Sequence, residues 1–236
     1  MDFVLRFIAG FAEFGVLLAL YGLAAEQVGV PHGWTLPRLA VLLGAAELVQ
    51  ILFSTTCSSL YELPSYVFDG SLDNVLLLPM SALAVLSFGR IRWDYLPQII
   101  APLGAIVWGI AEGGIVATGP QWIAFGVAIA AGWTIRWAVT ATVMSVSLIA
   151  VRIEALAYFL QEVFGLARYP ASIFPSAFRV VTLIVPVAFV ANVPFNVLAS
   201  AEWVTVALLA VAVAAVWIGI AIYAFGRCLK SYCGVG

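Results

Sequence analysis

Glu13, Glu47, Glu112 and Arg136 interrupt long apolar runs of this sequence, where an ionised side chain costs about 2.5–3.5 kcal/mol at a bilayer centre unless protein or water receives it. Glu47 is the most promising of them. Gln50, Ser54 and Ser58 follow it at i+3, i+7 and i+11, a spacing that draws a polar seam along one helix face. Arg136, Thr140 and Ser147 share a face of a later apolar stretch in the same way. A carboxylate and a guanidinium on neighbouring helices can pair and fix packing, line a polar route, or relay protons. Glu13 and Glu112 lie nearer the ends of their runs, and Glu112 sits in GIAEG (109–113), a step of small residues that lets helices approach closely. No catalytic constellation accompanies these groups. The one histidine, His32, stands between Pro31 and Gly33, and no H-E-x-x-H occurs, so a nucleophile with its base, or a zinc site, has little to build on. The odd set Cys57, Cys228 and Cys233 argues against a disulfide framework.

The elements that must position these groups follow from composition. With 64% hydrophobic and 9% charged residues and a mean hydropathy of +1.12, the chain lies far from soluble domains, which are about 25% charged. A hydrocarbon core about 30 Å thick calls for some 20 apolar residues per helix. Six such runs predict an all-α, polytopic integral membrane protein with spans at 8–30, 39–60, 95–117, 121–145, 180–199 and 203–226. The runs are apolar on every side, unlike the alternating strands of a barrel. Glu13 breaks what would be the core of a cleavable signal, so the first span is expected to stay. Trp34, Trp93, Trp122 and Trp203 fall near span ends, where interfacial anchoring is their ordinary role. A net charge of −2 without a long basic block argues against nucleic acid as a partner.

Positive residues near span ends stay cytoplasmic. Arg6, Arg90, Arg92, Arg152, Arg168, Arg179, Arg227 and Lys230 fall on one side of the predicted spans and Arg38 on the other. Both termini are therefore expected in the cytoplasm, together with the segments 61–94 and 146–179. Within 146–168, Ile153, Leu156, Leu160, Val163, Phe164 and Ala167 oppose Glu154, Tyr158, Gln161, Glu162 and Arg168 at helical spacing. That pattern predicts an amphipathic helix in the headgroup plane, ended by Gly165 and Pro170. Pro186 and Pro194 should loosen the fifth span, with Asn192 and Asn196 available to the freed backbone groups.

In the first long cytoplasmic segment lies DGSLDNVLLLP, residues 69–79. Gly70 permits a tight turn, Ser71 suits an N-cap and Asp73 an N-terminal turn, which predicts a short helix over 72–78 before Pro79. Leu72, Val75 and Leu76 would share one side of it, away from Asp73 and Asn74.

GSLDNVLLLP resembles the G-x-L-D-x-x-L-L-x-P signature of the ABC-2 family of ATP-binding-cassette transporter permeases. GWTLPRLAVLLG (33–44) is similar to that branch's approach to its second span, and ARYPASIFPSAFRVVTLIVPVAFVANVPFNVLA (167–199) to its YP…P…P block. The resemblance implies a six-helix exporter permease that dimerises with itself or with a related permease and docks two ATPase subunits. ATP and magnesium would be bound by those subunits, with no cofactor or metal in this chain. A segment at about 62–79 would fit a cleft of the ATPase, with Glu62, Asp69, Gly70, Asp73 and Asn74 on its polar side, Leu72 and Leu76 in an apolar groove, and Pro79 closing it. No G-x-x-x-x-G-K-[ST] occurs and Lys230 is the sole lysine, consistent with a borrowed ATPase. The implied cargo is drug-like, antibiotic or otherwise amphiphilic, moved across the inner (plasma) membrane, with Glu47, Gln50, Ser54, Arg136 and Thr140 either lining its path or forming a buried polar pair. The rival reading is a proton-coupled secondary transporter that uses Glu47 and Arg136.

Overall fold

The structure, a computed structural model, describes residues 2–27, 34–150, 154–174 and 186–232. His32, Arg152, Arg179 and Cys233, with parts of the predicted first and fifth spans, lie outside the described residues. All regular elements among the described residues are helical. They are α1 (Asp2–Gln27), α2 (Leu36–Thr56), the short helices α3 (Leu63–Phe68), α4 (Leu72–Leu76) and α5 (Ala82–Phe88), then α6 (Ile100–Glu112) and α7 (Gly119–Met144), and finally α8 (Glu154–Gly165), α9 (Ala188–Ala199) and α10 (Trp203–Leu229). A 3₁₀ turn Trp93–Ile99 extends α6 at its start, and another, Ser145–Leu148, extends α7 at its end. Four of these units are long and apolar enough to cross a bilayer: Leu36–Thr56, Trp93–Glu112, Gly119–Leu148 and Trp203–Leu229. Shorter apolar stretches are Phe7–Leu23 within α1 and Ala188–Ala199.

Small residues decide how closely the long helices meet. A Cβ on Gly44 would stand 2.6 Å from Ile106 Cγ1, and one on Gly109 would run into the Pro37 carbonyl oxygen, so α2 and α6 touch backbone to backbone. On α10, Ala207, Ala210, Ala214 and Ala221 form the buried stripe, while Leu208, Leu209, Val216 and Ile222 are exposed as lipid-facing residues would be. Overpacking a tight contact costs about 1–3 kcal/mol. Gly109→Leu should therefore lower the thermal unfolding midpoint of the detergent-purified protein. Gly104→Leu, on the same helix where a Cβ meets nothing within 4 Å, should leave that midpoint unchanged.

The bundle has two ends. At one, Trp34 stacks on Phe195 with centroids 4.7 Å apart, and α7 starts. Gln121 Oε1 accepts hydrogen bonds from the Thr118 N–H and hydroxyl at 2.8 and 2.9 Å, and Gln121 Nε2 donates to the Val197 carbonyl. At the other end α3, α4 and α5 fold over the ends of α2 and α7. There the Ser59 hydroxyl donates to the Leu86 carbonyl at 2.6 Å, and the Trp137 and Trp133 indoles donate to Ser87 and Thr56.

Two sequence expectations are corrected here. The chain after α7 does not lie across the end of the bundle as an interfacial connector. Its residues meet α2 in reverse order: Phe164 at the level of Phe53 through Arg136, Arg168 beside Glu47, and Ser172 bonded to the Trp34 indole. Its apolar face, Ala157, Leu160, Phe164 and Ala167, is buried in the main core, so its amphipathicity serves helix packing. The second correction concerns Asn192 in the fifth span, of which residues 180–185 lie outside the described residues. The described part of that span is the 12-residue α9, about 18 Å long at 1.5 Å per residue. It starts beside the middle of α7, where Gly132 faces the Phe189 carbonyl, and reaches the Trp34 end. Asn192 does not repair the proline breaks: its Oδ1 accepts the Ala171 N–H at 2.8 Å and its Nδ2 donates to the Tyr169 carbonyl.

Candidate functional site

Halfway along α2, Glu47 Oε1 lies 2.7 Å from Arg168 Nε, and Arg168 also approaches Glu13 of α1 at 3.9 Å. The Glu47 side chain is 13% exposed and that of Glu13 69%, so Glu47 is the carboxylate that depends on Arg168. The arginine is aimed by its backbone, because the Tyr21 hydroxyl donates to the Arg168 carbonyl at 2.8 Å and Asn192 holds the next residues. The charge rule puts Arg168 near a span end; in the structure it lies beside Glu47, halfway along α2.

The expected Glu47–Arg136 contact is corrected with it. Arg136 sits at the level of Phe53, six residues and about 9 Å along α2 from Glu47, and its guanidinium is clamped between two rings. The Arg136 Cζ stands 4.8 Å from the centroids of both Phe53 and Phe164. Each such contact is worth about 0.5–2 kcal/mol. Arg136 is 3% exposed. It has no ion pair among the described residues; the Tyr61 hydroxyl bonds to its guanidinium, while its Nε and the Thr140 hydroxyl one turn away are buried without a hydrogen-bond partner among the described residues. Tyr61 packs edge-on against the same Phe53 ring.

Between these groups lies a cavity of about 290 Å³, walled by Ala46 and Gln50 of α2, Arg136, and the Gln161–Gly165 turn of α8. Arg168 forms part of its wall, and Glu13 and Glu162 stand exposed at its rim. Of the polar seam on α2, Gln50 reaches the cavity while donating to Ser54 at 3.0 Å.

The second candidate site is the short-helix segment. Gly70 adopts φ +69, the left-handed turn between α3 and α4. Ser71 precedes α4 as expected but makes no capping bond, its hydroxyl reaching the Tyr66 carbonyl at 3.5 Å. The helix closes at Leu76. Asp69, Asp73, Asn74 and Pro79 are exposed. Leu72 is 0% exposed and belongs to this protein's own core, which corrects its expected place in a partner's groove. Leu76, Leu77, Leu78 and Met80 carry the exposed apolar surface instead, Leu77 at 83%. Glu62 is paired with Arg90 at 3.1 Å on the surface. The C-terminal Tyr232 arrives at Asp73: burial first, then the Asp73 carboxylate, hold its hydroxyl pKa above the ordinary tyrosine value.

Apolar helices that lean on one another, a buried charged pair at mid-depth and a platform of short helices at one end define a multi-pass membrane protein. The chain belongs to the ABC-2 family of transporter proteins, whose family profile matches residues 11–236. Searches of curated proteins and of solved structures returned no match. Membership makes it a membrane component of transport.

Proposed function

We propose that this chain is the permease subunit of an ATP-binding-cassette exporter, moving a drug-like, antibiotic or amphiphilic substrate across the plasma membrane. Two copies, or one copy with a related permease, form the path, and two separate ATPase subunits bind ATP and magnesium. Asp69, Gly70, Asp73, Asn74, Leu76 and Pro79 meet the ATPase. Glu62, held by Arg90, lies at the edge of that contact, and Leu72 anchors α4 from within.

The observation that carries this reading is the surface of α4 and the residues after it. Two exposed carboxylates, Asp69 and Asp73, flank a left-handed turn and adjoin the exposed run Leu76–Leu78 and Met80. An apolar patch rimmed by charge marks a docking surface. A carrier driven by protons has no use for it. Orientation is supported by the same end of the bundle: Tyr232 reaches Asp73, and Arg90, Arg92, Arg227 and Lys230 lie on the neighbouring elements. These support the reading that the chain ends and the short helices share the cytoplasmic side.

The test is gentle solubilisation of the tagged chain from its native membrane, followed by identification of what remains bound. An ATPase carrying the G-x-x-x-x-G-K-[ST] loop is expected at about one copy per permease. Recovery of none, under conditions that preserve other ATPase complexes, would overturn the proposal and move attention to proton-driven flux.

A further inference from the structure

The buried charges around the mid-membrane cavity do not balance. Glu47 is matched by Arg168, Glu13 also approaches Arg168 at 3.9 Å, and Glu13 and Glu162 stand exposed at the rim. Arg136 remains, 3% exposed and without an anion among the described residues. Its two faces are covered by Phe53 and Phe164, so what it can offer a ligand is its planar edge of N–H donors, the geometry that grips carboxylate or phosphate. The Thr140 hydroxyl, one turn away, is also buried without a partner among the described residues, while the Tyr61 hydroxyl already bonds to the guanidinium. Buried donors left unpaired cost free energy that an acceptor recovers.

The geometry points to a binding site for an acidic amphiphile in this cavity, its carboxylate or phosphate on the edge of Arg136 and its apolar body along Phe164 and Ala46 toward the open rim. As a statement about cargo it rests on the permease reading. As a statement about binding it needs no ATPase.

The test titrates the purified chain, in dodecyl maltoside, with dodecyl phosphate and with dodecanol. Wild type is expected to bind the phosphate at least tenfold more tightly than the alcohol. Arg136→Gln should abolish that preference, and Arg136→Lys, which keeps the charge without the fork, should retain part of it. Should Arg136→Gln fail to fold, Gly165→Leu serves in its place. A Cβ on Gly165 meets nothing within 4 Å and Gly165 lines the cavity, so the larger side chain fills the site without disturbing the helices. It should weaken dodecyl phosphate binding at least tenfold. Equal affinity for the two probes in wild type, or a phosphate preference that survives Gly165→Leu, overturns the site.

The anion has two sources, transported cargo or an acidic phospholipid. In phosphatidylcholine vesicles with the ATPase bound, cargo is marked by a twofold or greater rise in ATP hydrolysis with dodecyl phosphate. A resident lipid is marked by displacement of labelled dodecyl phosphate by phosphatidylglycerol with hydrolysis unchanged. Either result upholds the site and names its occupant. Failure of the binding titration removes the site and leaves the permease reading standing, whereas failure to recover an ATPase does the reverse.

Discussion

Replacing Asp69 and Asp73 together by lysine is expected to leave the chain inserted and folded while stripping it of its ATPase. Both carboxylates are exposed, so the fold loses little. Asp73 sits in the first turn of α4, where exchanging an acid for a base costs about 0.3–1 kcal/mol through the helix dipole. At a docked interface the consequence is larger. Removing one member of a buried, hydrogen-bonded charge pair costs about 2–5 kcal/mol, and reversing two charges adds repulsion, so retention should fall by at least about a thousandfold. Co-purification and ATP-driven flux in vesicles read the effect. Glu202→Gln is the control, because Glu202 is exposed at the opposite, Trp34 end of the bundle, just before α10. Wild-type ATPase recovery and unaltered flux in the double variant would remove Asp69 and Asp73 from the interface.

How far the sequence foretold this arrangement depended on whether a feature was local. Length and hydropathy identify the long helices at Leu36–Thr56, Trp93–Glu112, Gly119–Leu148 and Trp203–Leu229, because a bilayer-spanning helix is written in one stretch of chain. The turn at Gly70 was legible for the same reason, since its φ of +69 is a property that glycine supplies alone. Depth was not legible. The amphipathic pattern of 153–168 states that one face is apolar without saying whether lipid headgroups or other helices cover it. It is α2 and α7 that do so, and this moved Arg168 from the membrane edge to Glu47. Leu72 shows the same limit: the face was correct and its side was the core. The ring clamp on Arg136 joins Phe53 of α2 to Phe164 of α8, and no local pattern ties two residues so far apart.

The Glu47–Arg168 pair gives the largest expected effect on stability. Glu47→Gln would leave Arg168 with Glu13 at 3.9 Å as its one carboxylate, and Arg168→Gln would leave Glu47, 13% exposed, without a cation. Orphaning a buried charge costs about 3–5 kcal/mol. Arg168 is 28% exposed, so its loss of partner should fall toward the lower figure, while the orphaned Glu47 should approach the upper one. Arg168→Gln is therefore expected to be the more damaging single change. The double variant Glu47→Gln/Arg168→Gln replaces the ions by two amides that can hydrogen-bond, and it should recover most of the loss because no unpaired charge remains. Thermal unfolding of the purified proteins, arranged as a double-mutant cycle, measures the coupling directly. A relay of protons through Glu47 predicts a different pattern: Glu47→Gln would be folded and inactive, and adding Arg168→Gln would not restore it. Additive, small effects of the two single changes would show that the pair contributes nothing to holding the 164–172 segment along α2. Tyr21 and Asn192, which bond the backbone at Arg168, Tyr169 and Ala171, would then hold it instead.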